Sequence, residues 1–306
     1  MALTYDQISA ITEKRFMPKM VDNIFDSNPL LQRAKKKFYE STNGGTSIIQ
    51  PLNYAQATAV EWYSGADTFT TTDNDIGTAA EYQWKQIHGT IAINGLDEIK
   101  NSGDAAKLNF VKQKTMVVEK SVQDTMGTGL YSASTNAKSI VGLGTIIGTS
   151  NTVGGISQST YSWWQAQVDS TTTVTAMAPL QVIHNRCSIG NDGPTVAMTT
   201  RAIYNFYYGL LQPQQRFTDS DTAKGGFTSL MFNGIPMIVD SHCPTSNLMF
   251  LNEAYLHLYY HPKENFSFQP FQSPINQNVR VAHILWSGAF GSSNNRMHGK
   301  LSALTA

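Results

Sequence analysis

"AVEWYSGADTFTTTDNDIG", residues 59–77, is the stretch on which the fold turns. It mixes aromatics, threonines and carboxylates, and it lies within a longer stretch, Ser41 to Trp84, that holds no Lys or Arg. Glu61, Asp67, Asp73, Asp75 and Glu81 therefore have no counterion within that stretch. On one side, "TSIIQPL" is a short β segment behind the Asn43-Gly44-Gly45 turn signal. On the other, "YQWKQIHGTIAING" sets Trp84, Gln86 and His88 against Lys85 and Ile87 with the period of a strand. The plain reading is a long β-hairpin over residues 41–95 with a poorly hydrophobic tip. An isolated two-stranded hairpin is marginal in water. Such an arm is either a disordered loop or one that gains order by lying on a neighbour.

Residues 1–40 read as an arm. "TYDQISAITEKRF" suits a short amphipathic helix with Thr4 as N-cap, and Asn28-Pro29 interrupts the chain beyond it. "RAKKKF" then gathers Arg33, Lys35, Lys36 and Lys37, either as a solvated face or as a contact for nucleic acid or a partner's carboxylates. The clearest helix is expected after Asp104, through "AAKLNFVKQKTMVVEKSVQDTM", ending at Gly127 and Gly129. Leu108, Val111, Thr115, Val118, Val122 and Met126 fall on one stripe, with Lys107, Lys114 and Lys120 largely off it. A rod of roughly 30–35 Å with one apolar stripe is expected to pack on a sheet.

Residues 132–177 read as loops and short strands, with "YSWW" as their anchor. Helix and strand then alternate. "PLQVIHNRCSIG" is a helix with Pro179 in its first turn and Gly190 at its C-terminal end, "TVAMT" a buried strand, and "TTRAIYNFYYGLLQ" a second helix. "FTSLMFNGIPMIVD" is a hairpin on Asn233-Gly234, with Pro236 assigning its second strand to a sheet edge or off the central ladder. "NLMFLN" and "AYLHLYYHP" are further strands, and "NVRVAHILWSGAF" with "NNRMHGKLSAL" form a closing pair.

The 306 residues carry 22 basic and 22 acidic side chains, a charged fraction of 14% against about 25% in ordinary soluble domains. A surface poor in charge associates readily, which suits a protein whose working state is assembled. The balance argues against a basic nucleic-acid-binding domain. Cys187 and Cys243 form no framework, and no segment has the character of a signal peptide or a membrane span, so a reduced cytoplasm is expected.

Chemical signatures are missing. "GLGTIIG" has the wrong glycine spacing for a dinucleotide loop and no strand before it. Asp240, Ser241 and His242 are consecutive, so their side chains are expected to diverge rather than form a triad. His257 and His261 on a strand would lie about 13 Å apart on one side, and with His242 and Cys243 they are the only candidates for zinc; ordinary partly buried histidines are the simpler reading. No catalytic, cofactor-binding or metal-ligating residue is expected.

The order of elements, together with "GGTSIIQPLNYA", "WKQIHGTIAINGLDEIKNSG", "VGGISQSTYSWW", "FNGIPMIVDSHCP", "NEAYLHLYYHPKENF" and "ILWSGAFGSSNNRMHGKL", resembles the Hong Kong-97-type major capsid protein of tailed bacteriophages. The resemblance implies an α+β capsid fold with an N-terminal arm (1–40), an extended loop (41–95), a peripheral domain with a long spine helix (96–135), an axial domain (136–265) and closing strands of the peripheral domain (266–306). It implies a non-enzymatic coat protein that assembles into pentamers and hexamers of an icosahedral head around double-stranded DNA. The head would form in the bacterial cytoplasm and become the virion. Its partners would be further copies of itself, a scaffolding protein, a portal, a decoration protein and non-specifically contacted DNA, with no membrane and no cofactor.

Glu61, Trp62, Tyr63, Asp67, Phe69, Asp73 and Asp75 would contact the adjacent subunit, and Arg33, Lys35, Lys36, Lys37, Lys107, Lys114 and Lys120 would be their basic partners or face the lumen. The loop from Ser41 to Trp84 holds no Lys, so the isopeptide cross-link of some members is not expected, and the 40 residues ahead of it imply a separate scaffold. Competing readings are an encapsulin-like compartment, a cytosolic α/β hydrolase or metal-dependent enzyme, and a secreted binding module with a mobile loop.

Overall fold

The computed structural model describes residues 28–72, 74–100, 110–133, 136–170, 177–211, 230–302 and 304. Thr4 and the rest of the first 27 residues, Asp73, Asp104, Lys107 and Leu108 lie outside the described residues. In chain order, helix α1 (Pro29–Lys37) leads to strands β1 (Tyr39–Ser41), β2 (Ile48–Asn53), β3 (Gly77–Tyr82) and β4 (Lys85–Asn94). Helices α2 (Gly95–Lys100) and α3 (Phe110–Tyr131) and the single turn α4 (Leu143–Ile146) come after them, then β5 (Thr152–Val153), β6 (Ile156–Ser157) and β7 (Gln167–Asp169). Next come α5 (Ala178–Arg186), β8 (Val196–Thr199), α6 (Arg201–Leu211), β9 (Leu230–Phe232), β10 (Ile235–Val239), β11 (Leu248–Leu251) and β12 (Leu256–Tyr260). The chain closes with β13 (Ser267–Gln272), β14 (Val279–Ser292) and β15 (Gly299–Leu301).

The described residues fall into two compact units, one holding 89–100, 110–121 and 268–284, the other the remaining described residues. In the smaller unit β13 and β4 both pair with β14. The alternation expected in "YQWKQIHGTIAING" is real: Gly89, Ile91 and Ile93 are buried while Thr90, Ala92 and Asn94 face outward. Ile91, Ile93, Ala282 and Ile284 make its core. Lys114 donates to the Ala92 carbonyl (3.0 Å).

Among the described residues the larger unit holds two main sheets, besides the two-stranded pairs β2–β3 and β5–β6. In one, β1 lies parallel to β12, and β12 antiparallel to the C-terminal part of β14. The other has the order β7-β15-β11-β8-β10-β9. Its centre, β8 and β11, is buried at every residue, as a strand covered on both faces must be. Asn233 and Gly234, both at positive φ, make the β9–β10 turn as expected.

Several expectations are corrected. Residues 29–41 are not arm: Leu30, Leu31, Ala34 and Phe38 are buried in the main core and β1 is a sheet strand. The charge run concealed an amphipathic stripe, since the lysines occupy the other side of the helix. The partner of β2 is Gly77–Tyr82, whereas β4 pairs with β14. Helix α3 runs on through Gly127 and Gly129 to Tyr131. These glycines serve close packing, not termination: a Cβ on Gly127 would stand 2.1 Å from Asn28 Nδ2, and one on Gly129 would stand 3.3 Å from Ile140. Gly190 (φ +60°) sits in the turn joining Ile189 and Asp192, beyond the end of α5. Strand β10 is interior because its ladder to β8 starts at Met237, one residue past Pro236; β9 takes the edge. The closing strands part, β15 pairing with β11 and β7 after the 3-10 turn Asn295–Met297.

Candidate intersubunit interface

The hairpin is built from its root. Strands β2 and β3 pair from Ile48↔Tyr82 to Asn53↔Gly77. Ile48, Leu52, Ala80 and Tyr82 turn inward, while Ile49 on the other face is 64% exposed. Tyr82 pins the root: its hydroxyl donates to the Ser292 carbonyl (2.7 Å) and accepts from the Ser292 N–H (3.0 Å). Burial pushes that phenol up to about 12. The ring lies over Gly291, where any Cβ would stand 2.4 Å from it.

Past the root, residues 55–72 are exposed throughout. Trp62 is wholly exposed (104%), as for the most part are Val60, Tyr63 and Phe69. The tip is nonetheless not structureless. Glu61 accepts from the Thr70 N–H and hydroxyl (both 3.0 Å), Asp67 from the Ser64 N–H (2.7 Å), and Tyr63 meets Phe69 edge-on at 5.1 Å. Asn74 ties Thr58 to Gln56. Local hydrogen bonds thus shape the tip, while its large apolar side chains stay largely exposed among the described residues. Asp75 is exposed near the root.

The basic residues divide. Arg33 is engaged inside the chain, its Nε and Nη2 each 2.8 Å from the carboxylate of buried Glu253. It is therefore corrected from surface cation to internal ion pair, which fits helix α1 being part of the core. Lys35 lies 4.5 Å over the Phe266 ring, Lys114 holds Ala92, and Lys120 is half-buried with partners of its own. Lys36 and Lys37 are exposed.

A second polar constellation escaped the sequence reading. Asp240 and His242 do not diverge: the turn brings His242 Nδ1 to 3.0 Å from Asp240 Oδ1, and His242 Nε2 lies 2.8 Å from Asp124 Oδ1. Asp240 Oδ2 also accepts from the Leu30 N–H (3.2 Å) and the Tyr131 hydroxyl (3.1 Å). Asn28 caps the same helix through the Leu31 N–H (3.1 Å). Burial lowers the His242 pKa, but the bonds and charges of Asp124 and Asp240 outweigh it, so the net shift is upward. Ser241 takes no part among the described hydrogen bonds, and the arrangement locks α1, α3 and the end of β10 together. His257 bonds Glu40 (2.7 Å) and Ser293 (2.9 Å), while His261 accepts from the Lys263 N–H (3.2 Å). Among the described residues no three His, Cys, Asp or Glu side chains are placed to hold a metal ion.

No protein-family model and no curated protein matches the sequence. Solved structures do. A capsid subunit of cyanophage A-1(L) is similar over 99% of this chain and 100% of its own, with a TM-score of 0.72 at 16% identity. The capsid of a native GTA particle gives 0.74 at 8% identity, covering both chains entirely. The chain has the Hong Kong-97-type capsid fold. An encapsulin complex from Synechococcus elongatus shares this capsid fold at a TM-score of 0.63 and 9% identity, covering 99% of this chain and 96% of that one. The capsid-fold likeness thus extends over both units rather than one. At such identities it is carried by layers and connections, with the residues free to differ.

Proposed function

We propose that this chain is the major coat protein of a tailed bacteriophage, a structural protein without catalytic activity. It assembles through pentamers and hexamers into an icosahedral head around double-stranded DNA, in the host cytoplasm, and ends in the virion. The observation that carries this reading is the hairpin tip: Val60, Trp62, Tyr63 and Phe69 exposed together on a 23-residue connection between Asn53 and Gly77, without cover from the described residues of their own chain. Exposed apolar side chains so grouped mark a contact surface, and a capsid fold offers an identical copy as the partner.

In this reading the loop residues Glu61, Trp62, Tyr63, Asp67, Phe69, Asp73 and Asp75 contact the adjacent subunit. Lys36 and Lys37 remain as exposed cations for a neighbour or the genome, and Lys107 stays assigned with them from sequence. Residues 41–95 are the extended loop, 96–135 the peripheral domain and 136–265 the axial domain; of the closing segment 266–306, β13 and β14 go with the peripheral domain while β15 joins the axial sheet between β7 and β11. Scaffold, portal and decoration proteins are separate partners. The encapsulin likeness supports one alternative, a compartment filled with protein cargo instead of DNA.

The test is to express the chain alone and examine it by gel filtration and negative-stain microscopy. Megadalton shells or capsomer rings are expected, and nuclease-protected DNA in particles from infected cells separates a head from a cargo compartment. A stable monomer of 33.7 kDa at high concentration would overturn the proposal.

A further inference from the structure

We infer that the cleft at the root of the extended hairpin is a receptor for a Lys or Arg side chain of a second copy of this chain. The inference rests on the shell reading above and adds to it a defined contact away from the tip. The cleft, about 650 Å³, is lined by Tyr54, Asp75, Glu81, Tyr161 and Trp163 over a floor at Gly154 and Gly155. Tyr54 stacks on Trp163 (centroids 5.2 Å apart, 18° between planes), and Tyr161 stands 6.1 Å from Trp163. Aromatic faces beside two carboxylates attract a cation through the ring quadrupole and through charge.

The walls are held ready. Tyr54 N–H donates to the Ile76 carbonyl (3.0 Å) and Glu81 N–H to Gly154 (2.9 Å), and beside the lining residue Trp163 the buried Trp164 anchors its segment by donating Nε1 to Val153 (3.1 Å). Both glycines have positive φ; a Cβ on Gly155 would meet nothing, so the cleft is open there, whereas one on Gly154 would stand 2.6 Å from Ala80 Cβ, where the backbone packs against β3.

Charge selects the occupant. The walls come from two segments, 41–84 and 139–185, and neither contains a Lys or Arg. Glu81 accepts from Gln83 (2.9 Å), and neither it nor Asp75 meets a cationic side chain among the described residues. The chain as a whole has as many cations as anions, so a second copy can supply what this region lacks. The cleft is unlike the hairpin tip, which presents apolar rings outward; here the rings form the recess and the incoming group is charged.

Hydroxyl-radical footprinting of the full chain, assembled and dissociated, reads the contact directly. Oxidation of Tyr161 and Trp163 should fall several-fold on assembly. The D75N/E81Q variant should keep the thermal midpoint of the single chain and raise the critical concentration for assembly about fivefold, the ratio carried by a screened ion pair. Absence of particles from the wild-type chain would remove the shell reading and this proposal with it. Particles in which both rings stay as reactive as in the single chain would overturn this proposal alone. Protection with an unchanged critical concentration in D75N/E81Q would show that the occupant is not cationic. Protection that needs a second protein would show that it is not this chain. Either result also overturns it.

Discussion

The carboxylates of the hairpin tip and those around His242 are the same chemical groups in opposite circumstances. Asp240 is buried and meets an N–H, a phenol and an imidazole; Glu253, also buried, receives a two-pronged bond from Arg33. Glu61 and Asp67 are exposed and accept only from Thr70 and Ser64 of their own loop among the described hydrogen bonds. A carboxylate taken from water must find its partners within the fold, because leaving it unpaired costs several kcal/mol. An exposed one carries no such requirement. Among the described residues the interior thus partners its buried side-chain polar atoms, Asn295 Oδ1 excepted, while the tip keeps charge and apolar area that another molecule can use.

The strongest way to break this contrast is Asp240→Ala. It leaves the Leu30 N–H, the Tyr131 hydroxyl and His242 without their shared acceptor, and about 3–5 kcal/mol of stability should be lost in chemical denaturation. A loss under about 1 kcal/mol would mean that the cluster is ornamental. Gly127→Ala drives a methyl into Asn28, the cap of α1, and should cost about 2–3 kcal/mol by the same measurement.

Acid sharpens the comparison. His298 is wholly buried, and burial, aided by the charge of His257, lowers its pKa to about 3. The unfolded chain binds that proton near pH 6.5 and the folded chain does not, so stability is lost as pH falls. The loss is about 2 kcal/mol between pH 7 and pH 5. His242 has the opposite sign. Its raised pKa adds stability that is fully present below the unfolded value and disappears as pH rises through the folded one. His242→Gln should therefore show the full His298 slope, steeper than the wild type. Parallel slopes would refute the assigned directions. The smallest effect on the single chain is expected from Trp62→Ala: an unchanged denaturation midpoint, together with impaired assembly, checked by gel filtration. A lowered midpoint would place Trp62 in the fold's own structure.

Much of the fold was legible from short-range pattern. Period-2 alternation identified β4, Asn233-Gly234 announced the β9–β10 turn, and Val196–Thr199 read as a buried strand. The tip residues were legible as a contact candidate because their composition alone shows rings and carboxylates without cations. The lysine run misled, since counting charges in α1 hid the spacing of Leu30, Leu31, Ala34 and Phe38. Gly127 and Gly129 misled because a glycine that ends a helix and one that lets another segment approach look alike in sequence. The root cleft left only a faint trace, the lack of Lys and Arg in both contributing segments.

By itself the sequence determined many of the strands, helices and turns, though not α1, β1 or the end of α3, and that one long stretch carries no Lys or Arg beside its carboxylates. These properties depend on residues a few positions apart, whose spacing and chemistry act locally. Only the tertiary structure decided that β3 rather than β4 returns along β2, that Asp240, His242 and Asp124 converge, and that Tyr54 stacks on Trp163. Pairings between distant segments are chosen by burial and by the satisfaction of buried polar groups across the whole molecule, a competition no short window of sequence contains.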